Sequence, residues 1–297
     1  MKRYTGWLLL SCILVSLVGA QTPATFTAER HANPPKPGIV SFSVTAPGYQ
    51  KGTNRLEVLC PDVMPAGKRF PVLIVLPVNT GIDGNWGSPI EEMRKLNLHN
   101  LYQVICVVPA YDVEPWFGDM PAAPASGGPR IRQQAYVTDV VVPLLDREFP
   151  TQAERSGRFL IGFSKSGFGA FGLLLRNPGM FDRAAIYDCA DPVPKADIYD
   201  SWGFSASYGP RANFDKEFHI PTLIARNKEH FQGNTRRITL LAGSLAYGGV
   251  ETIHTALKEN KVAYTYLVFP GMGHSWNAGW LKLAAASLLP NPPPPAR

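Results

Sequence analysis

Leu160-Ile161-Gly162-Phe163-Ser164-Lys165-Ser166-Gly167-Phe168-Gly169-Ala170 is the stretch that decides the reading of this chain. Residues 158–161 read as a short buried strand and residues 167–176 as an apolar helix, so Ser164 stands on the turn between them. A serine on a sharp strand-to-helix turn needs very small neighbours two residues before and two after it. Gly162 and Ser166 fill those places. The pattern departs from G-x-S-x-G at its last position, where serine in place of glycine makes the turn more crowded. Were Ser166 the nucleophile, Phe168 would occupy a place that tolerates little side chain, which favours Ser164. The plain alternative is a helix that Ser164 merely caps. A strand directly before and a helix directly after are the setting of a nucleophile elbow, whose helix start supplies free amides and positive potential. The Lys165 N–H is then one oxyanion donor.

The flanking segments alternate in the same way. Residues 70–77 and 104–109 are nearly unbroken apolar runs, the mark of strands buried on both faces of a parallel sheet. Residues 89–101 read as a helix with Ser88 as N-cap and Pro89 at its first position. Residues 131–148 have helical period. Beyond the serine turn come strands at 181–187, 238–241 and 264–269 and helices at 250–260 and 280–289, while strands at 39–46 and 55–59 precede. This order predicts an α/β fold, a doubly wound, mostly parallel sheet flanked by helices. Residues 192–235 are too long for a simple crossover. Their Trp202, Phe204, Tyr208, Phe214 and Phe218 predict an ordered insert after the sixth strand, over the active end of the sheet.

The ends of the chain read differently from its middle. Lys2 and Arg3 precede an apolar run over residues 7–18, and Val18-Gly19-Ala20 offers small residues for cleavage, so residues 1–20 read as a signal peptide. The run is shorter than the ~20 residues that cross a bilayer, and no basic stop-transfer cluster follows. Cys12 lies inside that run, which makes lipidation a minor alternative. The expected destination is secreted or periplasmic, with no stable membrane insertion after cleavage. Residues 21–38 form an extended lead-in, residues 39–289 a single α/β domain, and residues 290–297 a Pro-rich tail. At 45% hydrophobic and 18% charged, the 297 residues are globular in composition. Losing Lys2 and Arg3 takes the formal charge from +6 to +4 with no basic block, which argues against a nucleic-acid partner.

Three cysteines follow the signal, so at most one disulfide can form, and Cys60 and Cys106 read as buried strand residues. There is no C-x-x-C or H-E-x-x-H and the six histidines are scattered, so neither a metal nor a cofactor is expected.

A serine hydroxyl needs a base, and His274 in Pro270-Gly271-Met272-Gly273-His274-Ser275-Trp276 follows the last strand on a glycine-flanked loop, where α/β sheets present ligand-binding groups. His31, His99, His219, His230 and His254 fall in the lead-in, in helices or in the insert. A carboxylate must orient the imidazole. The usual loop, Ala242-Gly243-Ser244-Leu245-Ala246-Tyr247, has none. Asp188, at the end of the strand after the serine helix, is the first candidate, Asp191 the second and Glu251 the third. Asp191 precedes a proline and equally well starts a turn.

From residue 70 to residue 185 the chain resembles the putative-esterase branch of the α/β-hydrolase superfamily, which includes esterase D, feruloyl and acetylxylan esterases and mycolyltransferases. The resemblance rests on the strand at 72–76 with its glycine-bearing loop, Pro109 followed by Trp116-Phe117-Gly118-Asp119, Tyr136 and Pro143. It continues through Gly162-Phe163-Ser164-Lys165-Ser166-Gly167 and Asn177-Pro178 with Phe181. Leu76-Pro77-Val78-Asn79 replaces the family's usual His-Gly, so the second oxyanion donor is the amide of Val78 or Asn79. The resemblance implies an α/β-hydrolase fold and a serine hydrolase that cleaves carboxylic esters through an acyl-enzyme with a Ser-His-Asp triad. Ser164 and His274 take two of its places, and because the family's usual acid loop here holds no carboxylate, Asp188 is the first choice for the third, with Asp191 and Glu251 as alternatives. Trp86, Trp116, Trp202, Trp276 and Trp280 are expected mostly in loops around the site, with a core place at the start of the last helix as the alternative for Trp280. Loop aromatics and secretion together point to a small-molecule or polysaccharide ester, with carbohydrate-linked acyl groups as substrates. The competing reading is a non-catalytic hydrolase-fold protein that binds a carbohydrate or a partner.

Overall fold

The computed structural model describes residues 25–124, 127–189, 199–201, 203–245 and 247–289. The expected signal peptide and tail, Asp191 and Trp202 lie outside them. The apolar runs become strands of one nine-stranded sheet: β1 (Thr27–Arg30), β2 (Val40–Thr45), β3 (Thr53–Leu59), β4 (Val72–Val75), β5 (Ile105–Pro109), β6 (Arg158–Phe163), β7 (Arg183–Tyr187), β8 (Ile238–Ala242) and β9 (Tyr264–Val268), in the order β1-β2-β3-β5-β4-β6-β7-β8-β9. β1, β2 and β3 form an antiparallel ribbon that joins β5 antiparallel. From β4 to β9 every pairing is parallel. The order reverses at β4, which pairs β5 on one side and β6 on the other. The crevice past the carboxyl ends of β4 and β6 is therefore the topological switch point, where open α/β sheets bind ligands.

Side chains of a strand alternate between faces, and here both faces are buried. Val72 and Ile74 of β4, Ile105 and Val107 of β5 and Leu160 of β6 enter one core. Leu73, Val75, Cys106, Val108, Phe159 and Ile161 enter the other. That two-sided demand is why these strands read as continuous apolar runs. Helices α1 (Pro89–Lys95), α2 (Leu98–Leu101) and α10 (Trp280–Leu288) supply Ile90, Met93, Leu98, Leu281 and Leu288 to the second core. On the first lie α3 (Gln133–Tyr136), α4 (Val142–Glu148), α5 (Ser164–Arg176) and α9 (Tyr247–Glu259), together with the insert.

The insert folds as α6 (Phe204–Tyr208), α7 (Arg211–Glu217) and α8 (Ile220–Asn227). Its Phe204, Tyr208, Phe214 and Phe218 are buried, and Phe168 of α5 stacks on Phe214 with ring centroids 6.3 Å apart. It follows the seventh strand rather than the sixth, because the lead-in itself contains a strand. Residues 27–30 pair antiparallel with β2, and Thr-Ala-Glu-Arg, mostly exposed, carries no apolar alternation that would announce a strand.

Two expected helices are also interrupted. The single helix expected over residues 89–101 breaks where Asn97 adopts φ 54°, a left-handed conformation that asparagine tolerates. Within the helix expected over residues 131–148, Val137–Val141 form a π-helical turn just before Pro143, whose ring has no N–H to return to Asp139. Cys60 is half-buried, and Cys106 and Cys189 are buried. Among the described residues no helix is long and apolar enough to cross a membrane.

Candidate active site

β6 ends at Phe163 in extended backbone, and Ser164 turns sharply with φ 52° to start α5. A side chain rarely adopts that conformation, so the surroundings must enforce it. At Gly162 an added Cβ would stand 2.2 Å from the carbonyl oxygen of Ser166, so only glycine permits this approach. Ser166 is fully buried. Its Oγ donates to the Phe163 carbonyl at 2.9 Å and accepts the Phe163 N–H at 3.0 Å. The serine at the position where glycine was expected thus clamps the turn instead of crowding it, and its hydroxyl is occupied. Ser164 stays partly exposed at the helix start. The amides of a helix's first turn have no intrahelical partner, and the Lys165 N–H is one of them.

One strand over, β7 ends in a second non-glycine residue with positive φ, Asp188 at 44°. Its carboxylate is fully buried. Oδ2 meets Nδ1 of His274 at 2.6 Å, Oδ1 accepts the Gly243 N–H at 3.2 Å, and Oδ2 accepts the Leu245 N–H at 3.2 Å. The loop after β8, which lacks a carboxylate of its own, thereby supplies the amides that hold the carboxylate of β7. With the carboxylate accepting from two amides, the contact at Nδ1 of His274 is one in which the ring donates.

Tyr187, just before Asp188, fixes the histidine loop from below. Its hydroxyl is shared between the carbonyls of Met272 and Gly273, 2.9 and 2.8 Å away. Burial, and then the Asp188 charge, push its pKa up to about 12, so it remains a donor across the neutral range. Gly243 is required beside it, since a Cβ there would lie 2.2 Å from the Tyr187 Oη. The His274 ring packs edge-on against Phe163, 5.0 Å between centroids, and against Trp86 at 5.1 Å. Phe163 directly precedes Ser164, so histidine loop and serine turn meet at the same end of the sheet.

The loop after β4 completes this end. Among the described residues the backbone amides of Val78 and Asn79 donate no hydrogen bond, which leaves both open as anion donors. The loop is pinned beyond them. Gly81 N–H donates to the Tyr111 carbonyl at 2.8 Å, Trp276 N–H donates to the Trp86 carbonyl at 3.0 Å, and Asp83 pairs with Lys36 at 2.9 Å.

The aromatic expectations divide. Trp86 and Trp116 are partly exposed at the site. Trp276 is only 2% exposed and packs on Phe163 and Trp280, 4.7 and 5.3 Å away. It is a core residue and not a substrate-binding one, because its ring is enclosed between Phe163 and Trp280. Trp280 takes its alternative place in the core, stacked on Tyr187 at 4.7 Å. Of the two candidate carboxylates among the described residues, Asp188 reaches His274, whereas Glu251 on α9 accepts the Tyr266 hydroxyl. His31, His219 and His254 bond to Ser43, Thr222 and Tyr264. Among the described residues no group of three or more His, Cys, Asp or Glu side chains could hold a metal ion.

One feature of the wall has no counterpart in the sequence reading. The Lys165 ammonium contacts the Glu114 carboxylate and lies over the Trp116 ring, 5.0 Å from its centroid. Burial pulls its pKa down to about 8. One end of the sheet thus carries a partly exposed serine at a helix N-terminus, a carboxylate-bound imidazole packed on the residue that precedes that serine, and the loop of Val78 and Asn79.

The chain is 26% identical to Esterase Rv1288 of Mycobacterium tuberculosis over 166 residues, covering 53% of this chain. It spans only 33% of that relative's length. An S-formylglutathione hydrolase from Agrobacterium tumefaciens superposes with a TM-score of 0.66 at 16% identity, over 88% of this chain and 98% of its own. A ferulic acid esterase superposes with a TM-score of 0.60 at 14% identity, over 90% and 98%. At such identities the superpositions establish the α/β-hydrolase fold. The family model described as "Putative esterase" matches residues 51–287, from within the β3 hairpin to the end of α10, and the chain belongs to this Esterase family.

Proposed function

We propose that this protein is a secreted carboxylic ester hydrolase working through an acyl-enzyme with Ser164, His274 and Asp188 as its triad. The observation that carries the reading is the 2.6 Å bond between Asp188 and His274 Nδ1, next to the strained turn that presents Ser164. The Ser164 Oγ attacks the ester carbonyl carbon and passes its proton to His274 Nε2, while Asp188 holds the ring and stabilises the imidazolium. The oxyanion of the tetrahedral intermediate accepts the Lys165 N–H and one amide from Val78 or Asn79. Collapse breaks the bond to the alcohol oxygen, which takes the proton from His274. A water then attacks the acyl carbon with His274 as base, and the acid leaves as Ser164 is regenerated.

Trp86 and Trp116 flank the crevice with aromatic surface suited to a sugar ring or an aromatic acyl group, which supports an acyl group linked to carbohydrate as substrate. The ferulic acid esterase likeness agrees with that choice, and the leader expected over residues 1–20 fits extracellular action. A fluorophosphonate probe tests the chemistry. Labelling of the wild type that vanishes in Ser164→Ala and His274→Ala is expected, and a folded wild type that takes no label refutes the enzyme in favour of a binding protein. Release of acetate or hydroxycinnamate from substituted xylan tests the substrate class, which is wrong if only simple aryl esters are cleaved.

A further inference from the structure

Lys165 follows the proposed nucleophile, and its cation does not point away into solvent. The side chain is 10% exposed, whereas that of its partner Glu114 is 47% exposed. The cation is held from a second direction by the Trp116 ring at 5.0 Å. Trp116 is itself backed by Phe204 of the insert, 4.5 Å between ring centroids, and its carbonyl accepts the Tyr208 hydroxyl. The Glu114 backbone is fixed as well, for its carbonyl accepts the Trp116 N–H at 3.0 Å and Gln133 Nε2 at 3.1 Å. Only the Glu114 carboxylate can swing out to water without loss of packing. The pair is asymmetric: a cation that stays and an anion that can be replaced.

We propose that Lys165 is a specificity-determining residue whose ammonium receives a carboxylate carried by the substrate, in exchange for Glu114. This rests on the esterase reading above and deepens it to esters bearing an acidic group near the scissile bond. A lysine side chain spans only about 6 Å. An acid a few bonds from the reacting carbonyl therefore lies within its reach while that carbonyl is at Ser164. A partly desolvated ammonium offers such a group a stronger contact than a surface lysine does, because few waters remain to screen it. Glu114 then keeps the ammonium neutralised while the site is empty, and its exposure lowers the cost of displacement.

The test compares kcat/KM for para-nitrophenyl hemiglutarate and para-nitrophenyl valerate, which share the five-carbon acyl chain and differ in the terminal acid. A second arm compares para-nitrophenyl acetate with the analogue whose phenyl ring bears a carboxylate, and so separates an acid on the acyl side from one on the alcohol side. In at least one arm the wild type is expected to prefer the acidic ester by about tenfold, expressed mostly in KM. Lys165→Met should abolish that ratio, Lys165→Arg should restore most of it, and Glu114→Gln should raise it. The ratio is read within each variant, so a change in overall turnover does not confound it. An equal ratio in wild type and Lys165→Met, or a wild-type preference for the neutral ester in both arms, overturns the inference while turnover of valerate leaves the esterase reading standing. A wild type that cleaves none of the four esters overturns both.

Discussion

Two neighbouring parallel strands, β6 and β7, end in the same unusual way and are secured by opposite means. Each finishes in a non-glycine residue with positive φ, Ser164 at 52° and Asp188 at 44°, and each thereby lifts a polar side chain toward the crevice. The Ser164 turn is held by its own sequence neighbours, Gly162 giving way to the backbone of Ser166 and Ser166 clamping Phe163. The Asp188 turn is held by residues far along the chain, the amides of Gly243 and Leu245 and the ring of His274. Local constraint sets where Ser164 stands. Long-range constraint sets what stands beside it.

The largest effect should come from the local side. Ser164→Ala is expected to lower kcat on an aryl ester by at least about 10⁴-fold, or ~5.5 kcal/mol, with the fold intact by circular dichroism. Residual activity within tenfold of wild type would mean that the turn presents no nucleophile. Asp188→Asn tests the distant side almost as strongly. The amide keeps the shape but offers N–H where Gly243 and Leu245 also offer N–H, and it no longer orients Nδ1–H. A fall in kcat of about 10³–10⁴-fold at little-changed KM is expected, together with a lower Tm. Full activity in this variant would reduce the Asp188 end to a structural turn.

Gly162→Ala separates strain from chemistry. With a Cβ 2.2 Å from a backbone oxygen, the turn must open, and a loss of stability of about 3 kcal/mol is expected in urea denaturation. Tyr187→Phe removes a shared hydrogen bond to the histidine loop and should cost about 1 kcal/mol of stability. Because Tyr187 acts through the position of His274, about a fivefold fall in kcat with KM unchanged is also expected, and a change confined to Tm would show that the loop holds itself.

The smallest effect concerns the loop that carries Val78, Asn79 and Trp86. Burial pushes the Asp83 carboxyl up, but hydrogen bonds from Ser88 and Lys36 and the charges of Lys36 and Arg55 outweigh it, so its pKa lies below the usual value. A carboxylate with a lowered folded pKa contributes stability that is complete above its unfolded pKa, near ~3.9, and is lost as pH falls through the folded value. Asp83 is 45% exposed, so Asp83→Asn should cost no more than about 0.5 kcal/mol at pH 7, and the gap to wild type should close in acid. A gap that widens in acid would contradict this assignment.

These contrasts also explain how far the sequence could be read. The strands from β4 to β8 announce themselves because burial on both faces demands unbroken apolar runs, and the Ser164 turn because its steric needs fall within five residues. β1 was missed, since four backbone-paired and mostly exposed residues need no hydrophobic pattern. Trp276 was misjudged as a cleft residue for a related reason: a loop residue's direction depends on what it packs against, here Phe163 and Trp280. The Lys165 and Glu114 pair was invisible because the two lie 51 positions apart.

From residues alone come the alternation of strand and helix, the serine on its turn and the histidine on its glycine-flanked loop, since each depends on spacing within one segment. Three carboxylates remained open on that basis. The choice of Asp188 as the partner of His274 belongs to the tertiary structure, because a buried carboxylate is stable only where several donors converge on it. Here those donors come from the loops after β8 and β9, which only the packed sheet brings to the end of β7.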